Sequence, residues 1–176
     1  MIYTHLKTGD IVAFRRIKQW WNPMSWLSQA IRRIAKVRYN HVGVIAEINN
    51  KMMLFEARGR GVMVSKVVNR IEDVTYTDEF AVFRRNEHVN ERKILDEALE
   101  IVGWTRYDFI GLLFQWFYNY TGIWIGPLKR GAKKRMYCYE LMAYLHRDTK
   151  TFAEWHKVKP ADLFSTDEYK LIYSSE

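Results

Sequence analysis

Apolar positions along this chain follow two rhythms. Runs rich in Val, Ile, Phe and Met read as extended at Leu6–Phe14, His41–Ile48, Lys51–Ala57, Gly61–Val68 and Glu79–Arg85, with a last strand at Lys170–Tyr173. Asn49-Asn50 and Gly59-Arg60-Gly61 break three of these runs with turn residues, the mark of a meandering antiparallel sheet. Helical spacing appears in Met24, Leu27, Ala30, Ile31 and Ile34, behind the cap-and-proline start Asn22-Pro23. It recurs in Ile94, Leu95, Ala98, Leu99 and Val102, between an Asn90 cap and Gly103, and in a third helix from Tyr137 to His146. Pro160–Leu163 forms a turn or a single helical turn. The expected fold class is α+β, a small barrel-like antiparallel sheet packed with helices. No linker or repeat divides the chain, so residues 1–176 are expected to form one domain.

One segment breaks the pattern. Phe109–Leu128 runs for 20 residues without a charge, near the length that spans a bilayer. Gln115, Asn119, Thr121, Pro127 and three glycines interrupt it, and its aromatics carry polar tips. That mixture suits an interface, a groove wall or a lid better than a span. The basic loop Lys129–Arg135 follows it, and the whole chain carries 28 Lys and Arg against 20 Asp and Glu, a net charge of +8. Such a balance expects an anionic neighbour, a membrane surface, a cell-wall polymer or nucleic acid. Met1–Phe14 lacks the pattern of a secretory signal. A cytoplasmic location is therefore expected, unless a phage particle or dedicated export route carries the protein outward.

A single cysteine excludes an internal disulfide framework, a redox CxxC pair and a multi-cysteine zinc site. That cysteine, Cys138, falls in the first turn of the third helix, where unpaired N–H groups and the positive dipole end favour a thiolate. By itself it is more often a small buried hydrophobe. A nucleophile needs a base. His5, His88, His146 and His156 lie near a terminus or in polar surroundings and read as solvated surface residues. His41 instead starts the apolar strand HVGVIAEI, and Gly43 two positions on marks a close approach. If Asn49-Asn50 is a two-residue loop, Ile48 faces Lys51 and Glu56 faces Gly43, one diagonal step from His41 on the same sheet face. A carboxylate there would hold the imidazole by its second nitrogen.

Taken in order, Gly9–Val12 (GDIV), Tyr39–Val44 (YNHVGV), Phe55–Ala57 (FEA), Gly61-Val62, Tyr107–Phe109 (YDF), Cys138–Leu141 (CYEL) and Pro160–Leu163 (PADL) resemble a known family. It is that of the circularly permuted papain-like NlpC-type cysteine hydrolases, in their YiiX-like branch related to lecithin retinol acyltransferases. The resemblance implies Cys138 as nucleophile, His41 as general base and Glu56 as the acid that orients it. Tyr107 and Tyr139 would lie near bound substrate. It further implies hydrolysis of an amide or ester through a thioester, on a cell-wall peptide or lipid-acyl substrate, with no cofactor and no metal. Where the family often has a small residue after the cysteine, this chain has the bulky Tyr139. Two other readings stay open. One is a lipid acyltransferase or phospholipase of the same fold. The other is a nucleic-acid binder using Arg15–Trp21, Arg32–Arg38 and Lys129–Arg135, although no base-reading motif is present. A metal held by His41, Glu56 and Cys138 would lack a fourth ligand.

Overall fold

The computed structural model describes residues 5–16, 26, 29–30, 32–33, 36–72, 77–126 and 134–175. Six strands form one antiparallel sheet: β1 (Ile11–Arg16), β2 (His41–Ile48), β3 (Lys51–Arg58), β4 (Gly61–Lys66), β5 (Thr77–Arg85) and β8 (Tyr169–Ser174). Their order across the sheet is β4-β3-β2-β1-β5-β8. The sheet is open rather than barrel-like, with β4 and β8 at its edges. The β4 edge is partly covered by chain instead, since Val62 N–H donates to the Thr105 carbonyl at 2.8 Å.

The β2–β3 hairpin has the expected register, with Ile48 opposite Lys51 and Val44 opposite Phe55. Asn49 and Asn50 both take positive φ, at 50° and 59°, the backbone of a two-residue turn matched to strand twist. Other boundaries move. The strand expected from Leu6 starts at Ile11, because Gly9 (φ 90°) and Asp10 make a turn that is bonded to β2 through Ile45. β4 stops at Lys66, where the chain turns into helix α1 (Val67–Ile71) and buries Val67. Helix α2 (Glu91–Ile101) begins at Asn90, whose side chain accepts from Lys93 N–H at 3.0 Å. It buries Ile94, Ala98 and Ile101, while Leu99, expected on the buried face, points to solvent. The helix expected from Asn22-Pro23 and the loop residues 129–133 lie largely outside the described residues.

A short parallel pair, β6 (Arg106–Tyr107) and β7 (Arg135–Met136), joins the uncharged segment to the cysteine helix. The uncharged segment itself forms helix α3 (Phe109–Thr121), capped by the Asp108 carboxylate on Gly111 N–H and ended by Gly122 at φ 74°. Among the described residues no helix is long and apolar enough to cross a membrane. Helix α4 (Cys138–Leu145) is buried on all sides, and the one-turn α5 (Asp162–Ser165) precedes β8.

Strand alternation sorts the core into two layers. Ile11, Ala13, Val42, Val44, Phe55 and Ala57 face α2 and α4, whereas Val12, Phe14, Ile45, Leu54 and Val82 form the core of the opposite face with Val67 of α1.

Candidate active site

His41 is the first residue of β2 and stands opposite Phe14 of β1. Glu56 lies near the far end of β3, brought level with the start of β2 by the tight turn at Asn49-Asn50. The hairpin therefore delivers the two side chains to one place: His41 Nε2 and Glu56 Oε2 are 2.6 Å apart, with both residues almost wholly buried. Gly43 is what makes the hairpin close here. A Cβ at that position would lie 2.8 Å from a Leu54 methyl and 2.9 Å from the Phe55 carbonyl.

Two residues not singled out in the sequence complete the pair. Arg70, on the last turn of α1 and itself buried, donates from Nε to Glu56 Oε1 at 3.1 Å. Its guanidinium lies 4.9 Å from the centre of the Phe14 ring, which covers it from the sheet side. Arg58, two positions along β3 on the same face, brings a second guanidinium to 3.6 Å. Burial pushes the Glu56 carboxyl up, but the His41 hydrogen bond and the charges of His41, Arg70 and Arg58 outweigh it and hold the group down to about 2. Glu56 is thus an anion at neutral pH and can only accept hydrogen bonds. Nε2 of His41 must carry the proton between them, which leaves Nδ1 as the basic nitrogen of the neutral ring. Arg58 could have been found from its spacing to Glu56. Arg70 could not, because the expected strand through Val68 conceals the helix that carries it.

Cys138 is the first residue of α4, after the extended Tyr137. Glu140 accepts from Tyr137 N–H at 3.4 Å, and the Tyr137 hydroxyl donates to Gln115 of α3 at 3.0 Å. These contacts fix the helix start against α3. Tyr139 ties it to the base strand, its hydroxyl donating to the Tyr39 carbonyl at 2.9 Å, two residues before His41. Tyr139 was expected at the substrate. Instead it is 3 % exposed, and burial together with the neighbouring Cys138 charge raises its hydroxyl well above the ordinary tyrosine range. It is a brace between helix and strand, not a wall of an open cleft. Tyr107 is half-buried and lines a cavity of about 380 Å³ with Gly59, Arg60, Arg106, Phe109, Ile110 and Arg135.

The fold therefore brings His41 and Glu56 into direct contact, and it ties the helix that begins at Cys138 to the chain two residues before His41 through Tyr139. The thiol arrives from the helix-bearing layer with Val42 and Val44, while alternation turns His41 toward the layer of Phe14 and Ile45. A further correction concerns His146, expected at the surface: it is completely buried at the end of α4, with Nδ1 2.9 Å from the Tyr169 hydroxyl. Among the described residues no three His, Cys, Asp or Glu side chains gather as metal ligands would.

No family model matches the chain, and no curated protein does. A solved structure does. The crystal structure of the metalloprotein YiiX from Escherichia coli O157:H7 superposes with a TM-score of 0.55 over 95 % of this chain and 96 % of that one, at 19 % identity. The fold is YiiX-like. The likeness runs nearly end to end along both chains.

Proposed function

We propose that the protein is a thiol hydrolase that cleaves an amide or ester bond, with Cys138 as nucleophile, His41 as general base and Glu56 as its orienting acid. The observation that carries this reading is the buried 2.6 Å contact between His41 and a Glu56 carboxylate held anionic by that contact together with Arg70 and Arg58. Burying an imidazole, a carboxylate and a guanidinium together is a poor way to gain stability. It is a good way to fix one tautomer and to support an imidazolium while a proton is in transit.

In this mechanism His41 Nδ1 takes the Cys138 proton and the thiolate attacks the substrate carbonyl carbon. The oxyanion forms beside backbone N–H groups at the start of α4, where the helix dipole also favours negative charge. Collapse breaks the bond to nitrogen or oxygen, and the leaving group takes the proton from His41. Water, deprotonated by His41, then hydrolyses the thioester and restores the thiol. Peptide amides and lipid acyl esters are the substrate classes that the resemblance to permuted NlpC-type hydrolases offers, with lipid acyl transfer as the variant in which an alcohol or amine replaces water. YiiX is called a metalloprotein; a metal on His41 and Glu56 would need further ligands, whereas thiol chemistry uses the basic Nδ1 that the Glu56 contact leaves on His41.

The proposal requires the thiol to reach Nδ1 around the first residue of β2. Alkylation of Cys138 by iodoacetamide, followed across pH, tests that step. The expected result is a rate at pH 6 well above that of an ordinary thiol of pKa about 8.5, lost in His41→Ala. A slow reaction with an ordinary thiol pH profile, unchanged in His41→Ala, removes the pair.

A further inference from the structure

Helix α3 is built inside out. Its 13 residues include no charge, and its buried side carries Gly111, Leu112 and Gln115. Helical spacing places Phe109, Ile110, Leu113, Phe117 and Tyr120 on one stripe that faces outward, Phe117 being half-buried, while Trp116 at its margin packs partly against the core. Ile110 and Leu113 are 55 % and 51 % exposed, and Tyr120 is 73 % exposed. A surface helix ordinarily turns its polar side to water, so a continuous apolar outer stripe marks a contact surface.

Its surroundings say which contact. The cavity at the N-terminal end of α3 is lined by Arg60, Arg106 and Arg135 together with Tyr107, Phe109 and Ile110, and none of its lining residues is acidic. Cations thus flank the apolar stripe at one end, and the stripe is rich in aromatics whose rings suit the boundary between headgroups and acyl chains. At 13 residues α3 is too short to span a bilayer but can lie in its surface.

We propose that α3 docks the protein on an anionic lipid bilayer, its outer stripe entering the interface while Arg60, Arg106 and Arg135 meet lipid phosphates. The surface serves the protein whether or not Cys138 is a nucleophile, so it is tested apart from hydrolysis. The full chain is sedimented with vesicles of phosphatidylcholine alone or with about 30 % phosphatidylglycerol, an anionic fraction at which basic surfaces bind. Strong partition onto the anionic vesicles only, weakened by salt, is expected. The double variant Ile110→Asp/Leu113→Asp, at exposed positions that leave the core intact, should reduce partition at least about tenfold. Arg106→Ser/Arg135→Ser should erase the preference for anionic lipid, and millimolar inorganic phosphate should leave binding unchanged. Circular dichroism confirms that both variants fold. Equal partition of wild type and the apolar variant overturns the proposal, as does release by free phosphate. A concentration-dependent dimer that the Asp variant dissolves, without vesicle binding, overturns it in favour of self-association.

Discussion

Glu56 shows how much one side chain depends on its neighbours. An isolated buried carboxyl would stay protonated, yet three basic groups hold this one ionised down to about 2. Because its folded value lies below the ordinary 4.5, the stabilisation is complete above pH 4.5 and is lost as pH falls from there toward 2. A shift of that size corresponds to about 3 kcal/mol. Denaturant titrations of wild type across that window should show the loss, and Glu56→Gln should flatten it. The same variant should lower turnover on an ester substrate more than tenfold with little change in KM, since the amide cannot support an imidazolium. Arg70→Met separates the two roles: it should move the acid transition upward by raising the Glu56 carboxyl, and retention of the wild-type transition would show that Arg70 does not govern the charge.

Turns decide whether the elements meet. The Asn49-Asn50 turn uses two residues with positive φ, a backbone that glycine adopts most easily at the second position. Asn50→Gly should therefore raise stability by up to about 1 kcal/mol, and Asn50→Val should lower it, both read from denaturation midpoints. Gly61 is less forgiving. It has φ 125°, and a Cβ there would run into the Thr105 carbonyl, the group that receives the β4 edge hydrogen bond. Gly61→Ala should cost about 3 kcal/mol or more and loosen β6, visible as faster amide exchange at Arg106 and Tyr107. Much of this layer was readable from residue patterns. The dipeptide Asn49-Asn50 specified the register, and with it the meeting of His41 and Glu56. The stop of β4 at Lys66 was not readable, because Val67 and Val68 continue a strand-like run and only the core under α1 favours a helix there.

Across the whole molecule, long-range contacts tie the cysteine helix to an inner strand of the sheet and to one of its edges. Tyr139 reaches the approach to β2, and His146 reaches Tyr169 at the β8 edge. Burial lowers His146 to about 4, with the Asp148 charge opposing and Arg85 assisting. The unfolded chain binds this proton near pH 6.5 and the folded protein near 4, so stability should fall by about 3 kcal/mol as pH drops through that interval. His146→Gln should remove the slope between pH 6.5 and 4 while leaving the Glu56 window below it; a slope of unchanged size would place the titrating group elsewhere. The charge of +8 is also reshaped by folding. Arg15 and Arg38, both in basic runs that suggested nucleic acid, converge on Glu79.

Local patterns were enough to specify the antiparallel meander, the Asn90-capped helix, the hairpin register and the His41–Glu56 pair, because turn residues and side-chain alternation act over a few positions. They could not reveal that His146 is buried, that Arg70 backs Glu56, or that Tyr139 braces α4 instead of lining a cleft. Those outcomes depend on which surfaces remain once helices and sheet have packed. The outward stripe of α3 has the same origin: its composition was visible in the chain, but only the packing of Leu112 and Gln115 against the core decided which side faces out.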